Sequence, residues 1–188
     1  MKQRLTLLSP YRSVSTPSAQ STTLCELQAR QEYNLWLMAT LREVETKCGV
    51  KFRVFVDLLA TNGCRVSEVL SIHSKDIQFN GLVFVKGLKG SKNRMLATLL
   101  SSHYLVGQLS SNSLVFDGYN RFYVYRELKK LGLFFTSENS TKFSITHAFR
   151  HFFIRELRKA GFCDADIAQV VGQVNPNNTA LYGKEKTR

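Results

Sequence analysis

The sequence predicts a mainly α-helical domain with a small three-stranded antiparallel β-sheet set into it, an α+β arrangement. Three observations carry this. From Cys25 to about position 72, apolar residues recur at helical spacing. Between Asp76 and Leu100 the period shortens to two, and Asn80–Gly81 supplies a hairpin turn. Beyond that stretch the helical spacing returns. No segment repeats, so one domain is expected.

Each element has a local reason. Residues 1–24, "MKQRLTLLSPYRSVSTPSAQSTTL", contain no acid, are rich in Ser and Thr, and hold two of the chain's three prolines. They read as a flexible tail, a composition that organellar transit peptides share. In "CELQARQEYNLWLMATLREVETKCG", Leu27, Leu35, Leu37, Met38 and Leu41 crowd one side of a helix that Gly49 suits as a C-terminal cap. "KFRVFVDLLATNG" forms a second helix, and a third runs from about Arg65–Ser67 to Ile72. The three strands follow in "DIQFNGLVFVKGLKGSKNRMLATLL", with a second turn at Gly87 and Gly90. Four helical stretches come next, around 100–110, 119–131, 146–160 and 164–172, and a last short one carries Tyr182.

Composition narrows the function. The chain has 188 residues, 44% hydrophobic and 11% aromatic, enough for a sizeable core. Twenty-six Lys and Arg against fourteen Asp and Glu leave +12, which favours a polyanionic partner, nucleic acid before an acidic membrane. Cys25, Cys48, Cys64 and Cys163 are scattered without CxxC or Cys/His ligand spacing, so neither a metal site nor a disulfide framework is expected, and a reducing compartment is. Apolar runs such as "GLVFV" are too short to span a bilayer.

Four places hold residues that suit phosphate chemistry. In "TNGCRVSEVL", Arg65 follows a glycine between two helices, and Glu68 falls on the same helical face and can orient it; elsewhere such a pair is a surface ion pair. In "THAFRHFFIREL", His147 and Arg150 project together, while Phe149, Phe152 and Phe153 can anchor the helix. The turn "KGLKGSKNR" clusters cations on a loop, as a finger on a DNA backbone would. Tyr182 is a poor nucleophile at a phenol pKa of about 10 unless cations stabilise its phenolate. Two arginines, a lysine and a histidine would supply that field, and fixed guanidinium groups can neutralise a pentacoordinate phosphorus without metal.

In this order and at these intervals the motifs resemble the catalytic domain of the tyrosine recombinase (phage integrase) family. "TNGCRVSEVL" is similar to the family's TGxRxSEL box at Gly63, Arg65, Ser67, Glu68 and Leu70. Lys89-Gly90-Ser91-Lys92-Asn93-Arg94 resembles its KGxKxR hairpin, with Lys89 in the catalytic place and Lys86 as fallback. His147-Ala148-Phe149-Arg150-His151 resembles HxLRH, and Val171-Gly172-Gln173 its LGH, with Tyr182 nine residues after Gln173.

The resemblance covers residues 25–188 and implies the tyrosine recombinase catalytic-domain fold; in a departure from the family, which normally carries a separate N-terminal DNA-gripping domain, only the tail of residues 1–24 is expected before it. It implies a site-specific recombinase that needs no cofactor or metal and works on double-stranded DNA as a tetramer, in the cytoplasm or on the nucleoid. Tyr182 would attack a scissile phosphodiester to give a 3′-phosphotyrosyl link. Arg65 and Arg150 would bind the non-bridging oxygens, Lys89 would protonate the leaving 5′-oxygen, and His147 would assist the nucleophile. Gln173 stands where most members have His; its amide can donate a hydrogen bond but cannot carry a proton. Lys86, Lys92, Arg94 and His151 are the candidate DNA contacts. The alternatives are a weakened or inactive DNA-binding relative and a type IB topoisomerase.

Overall fold

The computed structural model describes residues 24–88, 90–98, 102–108, 113–132 and 145–175. The N-terminal tail, the helix expected around Tyr182, and Lys89 lie outside the described residues.

Helix α1 (Leu24–Cys48) turns Leu37, Leu41 and Val44 into the core, a stripe at i, i+4 and i+7. This corrects part of the expected face: Leu35 and Met38 are exposed, and the placement of the Leu27 side chain is outside the described residues. Three residues apart, Leu35 and Met38 share a face of their own, rotated away from the buried stripe. Gly49, at φ 83°, ends α1 and opens α2 (Val50–Asn62). In α2, Phe52, Val54, Phe55, Val56, Leu58, Leu59 and Ala60 are all buried, which makes it the central helix, packed by both α1 and α6.

After Gly63 comes α3 (Val66–Leu70), then a single 3-10 turn at Ser74–Asp76 that the periodicity did not announce. Strands β1 (Val83–Val85) and β2 (Arg94–Leu96) pair antiparallel, with Val83 opposite Leu96 and Val85 opposite Arg94. The expected third strand is reduced among the described residues to one bridge, between Ile77 and Val83. The reason is local. The carboxylate of Asp76 accepts the His73 N–H at 3.0 Å, closing the 3-10 turn, and the Gln78 N–H donates to the Leu82 carbonyl at 2.8 Å, closing the hairpin. Only Ile77 is left to pair.

Helices α4 (Ser102–Val106), α5 (Arg121–Lys130), α6 (Ile145–Lys159) and α7 (Asp164–Val170) follow. Asn120 caps α5 by accepting the Tyr123 N–H at 2.8 Å. The main core is aromatic around α2: the Phe55 and Phe116 rings meet edge to face at 5.0 Å, and Phe52 packs on Tyr119 and Tyr123. A smaller cluster of Ile154, Ile167 and Val171 joins α6 to α7. No helix among the described residues is long and apolar enough to cross a membrane.

Candidate active site

The site is built where three helix ends meet. Gly63 closes α2 in the left-handed region, at φ 59°, and a Cβ there would stand 2.5 Å from Phe153 of α6. The missing side chain lets α6 lie against this turn. It also aligns the Gly63 carbonyl with Arg150, whose Nη1 donates to it at 2.8 Å. The Nη2 of Arg150 donates to the Val171 carbonyl at 2.9 Å. One fully buried guanidinium thus ties the turn before Arg65 to the turn before Gln173.

That second turn is a Schellman motif. The Gly172 N–H donates to the Gln169 carbonyl at 3.1 Å, and the Gln173 N–H to the Ala168 carbonyl at 2.7 Å. Gly172 takes φ 70°, and Gln173, just past it, is buried. The β1–β2 hairpin closes over the same turn: the Lys92 N–H donates to the Gly172 carbonyl at 2.8 Å. A Cβ on residue 172 would meet Arg94 Nη1 at 2.7 Å and the Lys92 carbonyl oxygen at 2.9 Å.

Arg65 stands at the N-cap of α3. Its backbone N–H donates to Glu68 Oε2 at 2.9 Å, the Glu half of a capping box, and its Nη1 donates to Glu68 Oε1 at 3.1 Å. Arg65 also bonds Ser91 of the hairpin. Glu68 is fully buried and takes a second cation, Arg94 Nη2, at 2.8 Å. Burial pushes the Glu68 carboxyl up, but the Arg94 hydrogen bond and charge and the Arg65 backbone and charge outweigh it, so the group lies below the usual carboxylate range. Arg94 Nη2 also reaches Cys64 Sγ at 3.5 Å. Burial drives that thiol up to about 11, so it stays neutral beside the arginine.

Arg94 corrects the sequence expectation. Expected on a DNA-facing finger, its side chain is 7% exposed and points inward. Among the described residues its Nε and Nη1 are buried without an acceptor, which costs on the order of 1–3 kcal/mol per group. The signal was present in the strand: counting back by two from the buried Leu96 puts Arg94 on the same inward face, opposite Val85. Ser91 and Cys64 were also missed, since each stands at a position that its motif leaves open. Lys86 and Lys92 are exposed on the hairpin.

On α6, His147 is exposed one turn before Arg150, and His151 is half-buried beside it. Burial, then the charges of His147 and Arg150, pull His151 down to about 4, so at neutral pH it is an uncharged hydrogen-bonding group rather than a cation. The structure therefore brings Arg65, Arg150 and Gln173 to one junction, with His147 and His151 on the helix that supplies Arg150. Tyr182 and Lys89 lie outside the described residues. Among the described residues, no cluster of His, Cys, Asp and Glu could hold a metal.

The model of the phage integrase family matches residues 30–188. Among solved structures, the XerA recombinase superposes with a TM-score of 0.61 at 21% identity, over 80% of this chain and 57% of that one. The XerH site-specific recombinase, bound to its difH substrate in a pre-cleavage complex, gives 0.60 at 20% identity, over 78% of this chain and 47% of that one. A lambda integrase dimer bound to a COC′ core site gives 0.54 at 17% identity, over 81% and 47%. The chain thus shares their fold and spans about half their length. No curated protein sequence matches it significantly.

Proposed function

The chain belongs to the phage integrase family, and from that premise we propose that it breaks and rejoins double-stranded DNA at specific sites through Tyr182. One observation carries the proposal. The buried Arg150 bonds the carbonyls of Gly63 and Val171, 87 and 21 residues away in sequence, and so gathers Arg65 and Gln173 around itself. A fold held for stability alone has no need to converge two arginines on one junction. A phosphodiester does, because charge grows on its non-bridging oxygens as the nucleophile adds.

In this reading the Tyr182 oxygen attacks the scissile phosphorus, forming a 3′-phosphotyrosyl bond as the bond to the 5′-oxygen breaks. The tyrosine proton leaves with assistance from His147, and Lys89 donates a proton to the departing 5′-oxygen. Arg65, which is part-exposed, faces the phosphate directly. Arg150 is fully buried here, so the DNA complex must uncover it. Gln173 donates from its amide where a histidine would also carry a proton. The phosphotyrosyl link conserves the bond energy for rejoining, so the chemistry requires no nucleotide or metal. A tetramer on two DNA sites is the assembly proposed.

The burial of Arg150 favours one second reading, a DNA-binding relative that does not cleave. The two separate in a single experiment: produce the chain in cells carrying its native locus, lyse under denaturing conditions, and measure DNA attached covalently. Adducts that vanish in Tyr182→Phe are expected, and their ends give the site. DNA binding without adducts in either protein sinks the cleavage reading; Gln173→His then tests whether the missing proton carrier is the cause.

A further inference from the structure

Glu68 lies between two guanidinium groups, and the arrangement is unequal. Oε1 accepts from Arg65 Nη1 at 3.1 Å, while Oε2 accepts from the Arg65 backbone N–H at 2.9 Å and from Arg94 Nη2 at 2.8 Å. The carboxylate cancels one of the two charges, so the trio as a whole carries a single positive charge. The member nearest solvent is Arg65, its side chain 23% exposed, against 7% for Arg94 and none for Glu68. Without Arg94 the remaining pair would be neutral, and a buried carboxylate would draw the Arg65 guanidinium onto itself.

Arg94 is fixed from several sides. Its strand position is set by the pairing with Val85, and its Nη1 fits against Gly172 because that residue has no Cβ. The neighbouring Lys92 N–H bonds the Gly172 carbonyl. Its Nε and Nη1 find no acceptor among the described residues, so hydrogen bonding alone does not account for its position. What it does achieve is a positive charge held against Glu68.

We propose that Arg94 is a positioning residue: it compensates Glu68, so that the Arg65 guanidinium is held in place with its charge left over for the scissile phosphate. This rests on the strand-transfer reading above. It also replaces a direct DNA contact for Arg94 with an indirect role.

The test uses the full chain and its native-locus DNA, with Arg94→Met and the milder Arg94→Lys. Adduct formation at saturating DNA is expected to fall about 10- to 100-fold in Arg94→Met, the range seen when a supporting partner of a site residue is lost. Arg94→Lys, which retains a charge at Glu68, recovers part of that loss. In an Arg65→Lys background, Arg94→Met adds no further loss, because its effect runs through Arg65. Non-covalent binding, measured with Tyr182→Phe present, keeps its dependence on salt. A slope shallower by about one would make Arg94 a phosphate contact and overturn the proposal. Wild-type adduct levels in Arg94→Met would overturn it too.

Hydrogen exchange at the Arg65 amide decides the matter independently of cleavage. Exchange there accelerates in Arg94→Met, or in Arg94→Lys if the Met variant does not fold, while the core amide of Leu58 stays protected. Unchanged exchange at Arg65 in a folded variant overturns the positioning role. Absence of adducts from the wild-type protein would instead sink the strand-transfer reading, and the exchange result would still stand.

Discussion

Arg150 and Arg94 are both buried, yet they are held by opposite means. Arg150 donates to two main-chain carbonyls, whose dipoles stabilise a cation without cancelling it. Arg94 donates to a carboxylate that is itself shared with Arg65. The first arrangement stores a charge at the junction and uses it to tie chain segments together. The second spends one cation to neutralise a carboxylate so that a neighbouring cation stays effective. Two buried arginines in one site therefore do different jobs, and the type of acceptor, not the burial, tells them apart.

The contrast can be broken most directly at its charged end. Glu68→Gln leaves two guanidinium groups facing a neutral amide, and the loss expected in urea denaturation is about 3–5 kcal/mol. Arg150→Met removes the donor to the Gly63 and Val171 carbonyls, and a smaller loss of about 2–3 kcal/mol is expected in the same experiment. If Arg150→Met proves the more damaging, the distinction between carbonyl-held and carboxylate-held arginine is wrong. Gly172→Ala sharpens the comparison further, because this turn touches both. It forces a side chain into positive φ and against Arg94 Nη1, with an expected loss of about 1–2 kcal/mol. Hydrogen exchange at the Lys92 amide should rise with it, since that amide bonds residue 172.

The smallest effect is read from pH. His151 titrates near 4 in the folded chain, against an ordinary histidine value of about 6.5. Between these values the unfolded chain binds the extra proton, so this contribution is complete above pH 6.5 and is lost as pH falls towards 4. Glu68, lowered by its arginines, acts in the same direction, its contribution falling away as pH drops through its own depressed range. A urea midpoint that declines from pH 6.5 to 4 is expected, and His151→Gln should flatten the upper part of that decline. An unchanged slope would mean that another group supplies it.

Much of this was legible in the chain. Helical spacing announced α2 and α6, Asn80–Gly81 announced the tight turn before β1, and Gly87 and Gly90 announced the turn between β1 and β2, because these signals depend on residues close in sequence. Leu35 and Met38 misled for the complementary reason: a helix of 25 residues offers more apolar faces than its neighbours can cover, and only packing against α2 chose Leu37, Leu41 and Val44. The third strand failed where Asp76 closed a turn that competed with pairing.

The same division runs through the site. Resemblance to the family's motifs singled out Arg65, Lys89, His147, Arg150, Gln173 and Tyr182, since the order and spacing that carry it are properties of sequence. The chemical types were fixed there as well, including the glycines at 63 and 172 that only close backbone approach requires. What tertiary structure decided was which acceptor each cation meets. Arg94 looks like Lys92 in sequence, two residues away and equally basic, but Arg94 lies on β2 with its side chain turned inward to a carboxylate from another motif, while Lys92 lies outside the strand and is exposed. Charge is written in the residue; whether it is compensated depends on what folding places within 3 Å of it.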